Sequence, residues 1–335
     1  MNVIALRAPY LIFTGSETRR AYTKTGAGIV QWRRELCAGH LQTGDAGIDL
    51  GLPAMTIPQA TANGVGSLII GTAAIGGGIA EDWLDILEQA LRAGIDVVGG
   101  LHTPLSRQAR LVAAAAASGA RLVDVRIPPA HLPVGTGKRR NGKRVLMVGT
   151  DCAVGKKYSA LALERDMRAA GLKADFRATG QTGIMIAGRG IPIDAVVSDF
   201  IAGAAEVLSP DNATDHWDVI EGQGGIFHPG YAAVTLGLLL GSQPDAFVVC
   251  HEAGRTHISG WEHFPLPDIE AVIERTVMLG ALTNPSIHCV GVCVNTSTLQ
   301  DGAREDYLAT LSARLRLPCV DPIIDGTASI IQRLV

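Results

Sequence analysis

Residues 144–160 read Arg-Val-Leu-Met-Val-Gly-Thr-Asp-Cys-Ala-Val-Gly-Lys-Lys-Tyr-Ser-Ala: an apolar strand, a glycine-bracketed turn and a helix opening at Lys156. In that layout successive backbone N–H groups and a helix N-terminus surround an anion, and a lysine adds a point charge. The candidate phosphate-binding residues are therefore Gly149, Thr150, Asp151, Cys152, Ala153, Val154, Gly155, Lys156 and Lys157. Two features depart from the usual pattern. Five residues rather than four separate Gly149 from Gly155, and Lys157 stands where a serine or threonine would ligate magnesium. The competing reading is a turn that needs glycine only for its geometry, with Lys156 solvated in an unfavourable first-turn position. The order of strand, turn, lysine and amphipathic helix favours the anion site.

Downstream of this stretch, expected strands at 174–178, 217–221, 245–250, 288–294 and 318–320 alternate with expected helices at 156–170, 199–207, 231–240, 268–279 and 303–315. Upstream, apolar runs at 35–41, 68–72, 96–101 and 122–127 alternate with helical patterns at 81–93 and 106–118. Such alternation predicts α/β architecture with parallel sheets, whose ligands bind beyond the strand carboxyl ends. Residues 128–143 hold three prolines, three glycines and four basic residues and interrupt the pattern. The expected organisation is a Rossmann-like domain over 1–137 and a P-loop NTPase-like α/β/α domain over 138–335. The basic run from Lys138 to Arg144 is expected to be a solvated connector. Gly76-Gly77-Gly78 is not G-x-G-x-x-G and lacks the partner acid, so a loop facing the site is preferred to a nicotinamide site.

The chain has 335 residues, 47% hydrophobic and 18% charged, with a net charge of −3, so a large core can be buried and no electrostatic footprint for nucleic acid or an anionic membrane exists. Six scattered cysteines without a C-x-x-C pair read as reduced thiols of a cytoplasmic protein. No apolar run reaches membrane-spanning length. Small-molecule substrates are expected, with neither nucleic acid nor membrane as partner, and a homo-oligomeric state.

Candidates for chemistry lie at the expected strand ends. Glu221 closes a strand and precedes a glycine turn, where an acid holds magnesium or orients a nucleophile, or simply accepts hydrogen bonds from its own turn. The stretch 178–190 carries four glycines from 180 onward and reads as a second glycine-rich loop, with Gln181 and Thr182 as neutral hydrogen-bonding groups and Arg189 as a carboxylate grip or a surface arginine. Asp199 is a helix-opening acid, either a cap or a base. His228 and His251 follow strands and are proton-acceptor candidates near neutral pH. The histidine spacing matches no zinc pattern. Asn295 ends a strand and either reads an adenine edge or forms a turn.

With these residues together, the chain resembles the DgcN family of D-glutamate N-acetyltransferases along nearly its whole length. The resemblance rests on Gly100-Leu-His102, Gly149-Thr-Asp-Cys-Ala-Val-Gly-Lys156, Ala178-Thr-Gly-Gln-Thr-Gly-Ile-Met-Ile-Ala-Gly188, Asp199-Phe-Ile-Ala-Gly-Ala-Ala-Glu206 and Tyr231-Ala-Ala-Val-Thr-Leu-Gly-Leu-Leu-Leu240. It implies transfer of acetyl from acetyl-CoA, as cosubstrate, to the amine of an acidic D-amino acid, with no obligatory metal. Asp199, Glu221, His228 or His251 would then remove the substrate proton. The C-terminal half is also similar to dethiobiotin synthetase, through the same loop spacing and Glu-Gly-Gln-Gly-Gly at 221–225. That likeness implies an ATP-dependent ligase or kinase with Asp151 and Glu221 on magnesium, a reading weakened by Lys157. A nucleotide-binding module without turnover is the third reading.

Overall fold

The computed structural model describes residues 2–44, 47–72, 78–79, 81–300 and 302–335. Gly76 and Gly77 of the expected glycine loop lie outside the described residues. Contacts divide the chain into two units, one of residues 2–128 with 181–192 and one of 129–180 with 193–335.

The first unit opens with β1 (Asn2–Val3) and proceeds through β2 (Tyr10–Gly15), α1 (Lys24–Trp32), β3 (Cys37–Gln42), α2 (Ile57–Ala62), β4 (Ser67–Ile70), α3 (Glu81–Arg92), β5 (Asp96–Gly99), α4 (Ala109–Ser118) and β6 (Leu122–Asp124). Its five-stranded sheet has the order β3-β2-β4-β5-β6, with every pairing parallel. Strands β2, β4 and β5 are buried at every position, as expected where helices cover both faces. In α3 the buried residues Trp83, Leu84, Leu87, Ala90 and Leu91 form one stripe, while Glu81 and Asp82 favour its N-terminal dipole. Residues 10–15 and 24–32 were not anticipated as strand and helix, because β2 has no polar alternation and α1 carries two glycines.

The second unit contains β7 (Lys143–Gly149), α5 (Lys156–Ala169) and β8 (Lys173–Arg177), after which α6 (Gln181–Ala187) and β9 (Arg189–Gly190) leave it for the first unit. There β9 pairs antiparallel with β1, α1 packs against α6, and Arg33 Nε donates to the Ile186 carbonyl at 3.0 Å. The stretch read as a glycine-rich loop is thus helical over Gln181–Ala187. Only its end, with Gly188 at φ 67° and Gly190 at φ 155°, uses the conformations that favour glycine.

The chain then forms α7 (Ile201–Leu208), β10 (His216–Ile220), α8 (Ala232–Ser242), β11 (Ala246–Glu252), a hairpin of β12 (His257–Ile258) and β13 (Trp261–Pro265), α9 (Ile269–Gly280), β14 (His288–Asn295), α10 (Ala303–Leu315), β15 (Cys319–Val320) and α11 (Ala328–Ile331). The sheet order is β15-β14-β11-β7-β10-β8, parallel throughout, with β7 and β11 buried side by side at its centre.

The basic run differs from a solvated connector in a way that helix dipoles explain. Arg140 donates from Nε to the Ser209 carbonyl and from Nη2 to the Gly241 carbonyl, so one guanidinium serves the C-terminal ends of α7 and α8. Arg144 is buried and bonds Ser209 Oγ and the Asn141 carbonyl. Glu206 accepts the N–H groups of Thr136 and Gly137, tying the preceding segment to α7. No helix among the described residues is long and apolar enough to cross a membrane. All six cysteines are free thiols, and burial pushes Cys250 up to about 11.

Candidate active site

The loop between β7 and α5 is built from the sheet outward. The Thr150 N–H donates to the Cys250 carbonyl at 3.0 Å, extending the β7–β11 pairing by one bond beyond the strand. Ala153 at φ 56° and Gly155 at φ 105° then turn the chain through the left-handed region into α5. Lys156 is 7% exposed and folds back so that Nζ donates to the Asp151 carbonyl at 2.7 Å. Burial lowers its pKa. Its stem passes close to Gly222, where a Cβ would lie 2.9 Å from Lys156 Cδ and, decisively, 1.7 Å from the Met147 carbonyl oxygen. A solvated first-turn lysine would have neither feature.

Asp151 is fully buried, and its carboxylate is committed. Oδ1 accepts the Cys152 N–H at 2.6 Å, while Oδ2 accepts Arg255 Nη1 at 2.7 Å and the Ser259 N–H at 2.8 Å. Arg255 also donates to the Cys152 carbonyl and to Glu252, so the segment from the end of β11 into the β12–β13 hairpin is latched onto the loop. Neither Arg255 nor Ser259 was identified from the sequence. The only local signal was an arginine beyond a strand end, after Gly254.

Asp151, Cys152 and His228 place ligand atoms within 4.8 Å of one another. Their chemistry does not suit a cation. Lys156 and Arg255 already bring two positive groups to Asp151. Moreover, His228 Nδ1 accepts the Gly230 N–H at 3.1 Å, which puts the proton of the neutral ring on Nε2, the nitrogen that faces Asp151 Oδ1 at 3.9 Å. A nitrogen carrying a proton has no lone pair for a metal. The residues present suit an anion better.

Glu221, one residue beyond β10, is buried, and its Oε2 accepts the N–H groups of Thr179 at 2.9 Å and Gly180 at 3.0 Å. Burial raises its pKa, against which those two N–H donors and the nearby Lys157 charge act. Lys157 lies 4.5 Å from the Tyr158 ring. His228 is 1% exposed, and its ring packs against Tyr231, at 4.5 Å, and Trp261, at 4.7 Å. His251 differs from it: Nδ1 is 3.2 Å from Thr150 Oγ1 and Nε2 is 3.1 Å from Tyr307 Oη, so both nitrogens are engaged. Burial, with Arg255 and Arg314 nearby, lowers its pKa to about 4.

Asp199 is exposed in a 3-10 turn over Ser198–Phe200 and follows no strand, because a second 3-10 turn (Ile193–Ala195) and irregular residues 196–197 precede it. Asn295 Oδ1 accepts the Ser297 N–H at 3.2 Å, the geometry of a turn-forming asparagine. Gln181, Thr182 and Arg189 belong to the first unit. Thr182 Oγ1 bonds Thr25 Oγ1 at 2.9 Å, Gln181 packs on Gly100, where a Cβ would meet its Oε1 at 2.5 Å, and Arg189 is half-buried on β9. In that unit His102 Nε2 accepts from Arg126 Nη1 at 2.7 Å.

Comparison with known proteins adds the following. A family model described as the P-loop domain of a domain of unknown function, DUF1611_C, matches residues 133–331, and its Rossmann-like companion, DUF1611_N, matches 39–128. The chain is 44% identical over 329 residues to a D-glutamate N-acetyltransferase of Tritonibacter scottomollicae, covering 98% of this chain and 99% of that one. It is 43% identical, with the same coverage, to a D-glutamate N-acetyltransferase of a Pseudoalteromonas species. The crystal structure of a DUF1611 family protein from Anabaena variabilis is similar at 33% identity and a TM-score of 0.89, covering 97% of this chain and 99% of that one.

Proposed function

The chain belongs to the DUF1611 family, and from that premise we propose that it is a D-glutamate N-acetyltransferase using acetyl-CoA as donor. The observation that carries the activity is the 43–44% identity over 98% of the chain to two relatives of that name. The loop's chemistry supports that donor. Lys156 and the turn of Gly149 to Lys157 are assigned to a phosphate of CoA, because Lys156 and Arg255 bring two cationic side chains to the helix N-terminus and Asp151, the acid a magnesium ion would need, already holds Arg255. The same commitment of Asp151 counts against the ATP-dependent ligase reading.

The reaction needs a neutral amine, a stabilised tetrahedral oxyanion and a leaving CoA thiolate that takes up a proton. Glu221 is the proposed acceptor of the ammonium proton: it stands at the carboxyl edge of the central sheet, and burial gives it a carboxyl more basic than usual. Both of its backbone bonds fall on Oε2. Asp199 and His251 are ranked below it, the first for its exposure and the second for its two engaged nitrogens. Arg189 is proposed to pair with a carboxylate of the amino acid, and Gln181 and Thr182 to hold α6 in place beside it.

Release of CoA thiol from acetyl-CoA, followed with a disulfide reagent, tests the reading. D-glutamate is expected to support release, in the presence of EDTA as well as without it. Absence of release with D-glutamate, together with ADP formation from ATP and magnesium, would replace it with the ligase.

A further inference from the structure

The imidazole of His228 is held in one tautomer by the backbone around it. His228 follows β10 by a glycine turn, and its backbone N–H donates to the Gly225 carbonyl at 2.9 Å. A backbone N–H only donates, so the bond from Gly230 requires the lone pair of His228 Nδ1 and leaves the neutral ring protonated at Nε2. Tyr231 and Trp261 both pack against the ring and against each other. Nε2 is buried without a hydrogen-bond partner, 3.9 Å from Asp151 Oδ1. Asp151 Oδ1 accepts from the Cys152 N–H, and Oδ2 from Arg255 and Ser259.

A buried N–H with no acceptor costs about 1–3 kcal/mol. Its retention beside a phosphate-type loop points to an acceptor supplied from outside the chain. We propose that His228 is a hydrogen-bond donor, through Nε2–H, to an anionic oxygen of the acyl donor bound at the loop, and is not the proton acceptor of the reaction. This assignment rests on the acetyltransferase reading for the identity of the donor molecule. Two oxygens share the chemistry: a CoA phosphate oxygen, present in the ground state, and the thioester oxygen, which gains its charge in the tetrahedral intermediate. The charged groups facing the ring are Asp151 and Lys156, and burial favours its neutral form.

The tautomer is testable without any turnover. In protein labelled with 15N-histidine, long-range proton–nitrogen correlation at pH 7 is expected to show His228 with its proton on Nε2. A proton on Nδ1, or on both nitrogens, overturns the proposal. His228→Gln places an amide N–H near the Nε2 position, whereas His228→Asn places it near Nδ1. With folding verified by circular dichroism, H228Q is expected to keep turnover or CoA affinity within about tenfold of the wild type, and H228N and H228A to lose about 10²–10³-fold. A loss confined to kcat assigns the thioester oxygen, and a loss in the CoA dissociation constant measured by calorimetry assigns the phosphate. An H228Q protein as impaired as H228A in both quantities overturns the donor role. Should the wild-type protein fail to acetylate D-glutamate, the functional reading falls while the tautomer and CoA-binding measurements still decide this one.

Discussion

Two glycine-rich stretches follow strands of the second unit that are consecutive in sequence, 149–155 after β7 and 180–190 after β8, and they fold in opposite ways. The first stays a loop, turned by left-handed Ala153 and Gly155 and latched by Asp151 to Arg255 and Ser259. The second winds into α6 and packs in the first unit, reaching left-handed geometry only at Gly188. Glycine content alone therefore does not specify a loop. What separates the two is where positive φ is required and which partners absorb the backbone's donors.

Glu221 ties the start of the second stretch, through Thr179 and Gly180, to the edge that carries the first. If it is the proton acceptor, Glu221→Gln is expected to lower kcat by about 10²–10⁴-fold with little change in acetyl-CoA affinity. An E221Q enzyme retaining more than about a tenth of wild-type turnover would reduce Glu221 to a staple between strands.

The next largest effect concerns His251, which anchors the loop through Thr150. Its folded pKa of about 4 lies below the unfolded value of about 6.5, so the folded state binds fewer protons between these limits. Its contribution is complete above pH 6.5 and is lost as pH falls toward 4, amounting to roughly 3 kcal/mol at most. Melting temperatures of the wild type and His251→Asn across pH 4–7 should converge at the acid end. Parallel curves would show that His251 is not a buried neutral group.

Lys156→Ala is expected to weaken CoA binding by about 10- to 100-fold, the worth of a charged hydrogen bond of roughly 1.5–3 kcal/mol, with the fold retained. Unchanged affinity would return Lys156 to a structural role as the partner of the Asp151 carbonyl.

The smallest effects come from placing the same strain in each stretch. Gly155→Ala and Gly188→Ala both force alanine into positive φ, at a cost of about 1–2 kcal/mol each. Both should lower the melting temperature by a few degrees, but only Gly155→Ala should also raise the acetyl-CoA KM. A KM effect from both would mean that the two stretches are functionally alike.

The sequence by itself determined the strand–helix alternation, the parallel sheets and the loop at 149–156, since hydrophobic period and local turn chemistry act over a few residues and survive in a one-dimensional reading. It also carried the family, through motifs spread along nearly the whole length. Tertiary structure alone decided the allocation of polar partners. Asp151 meets an arginine 104 residues further along the chain, His251 meets Tyr307, and Thr182 meets Thr25. Such pairings change what a residue can do: they commit Asp151 to Arg255 and Ser259, occupy both nitrogens of His251, and leave His228 with its proton on Nε2. No spacing rule encodes them, because each donor or acceptor can be satisfied in many ways locally, and only burial, which removes water as a partner, makes one of those ways obligatory.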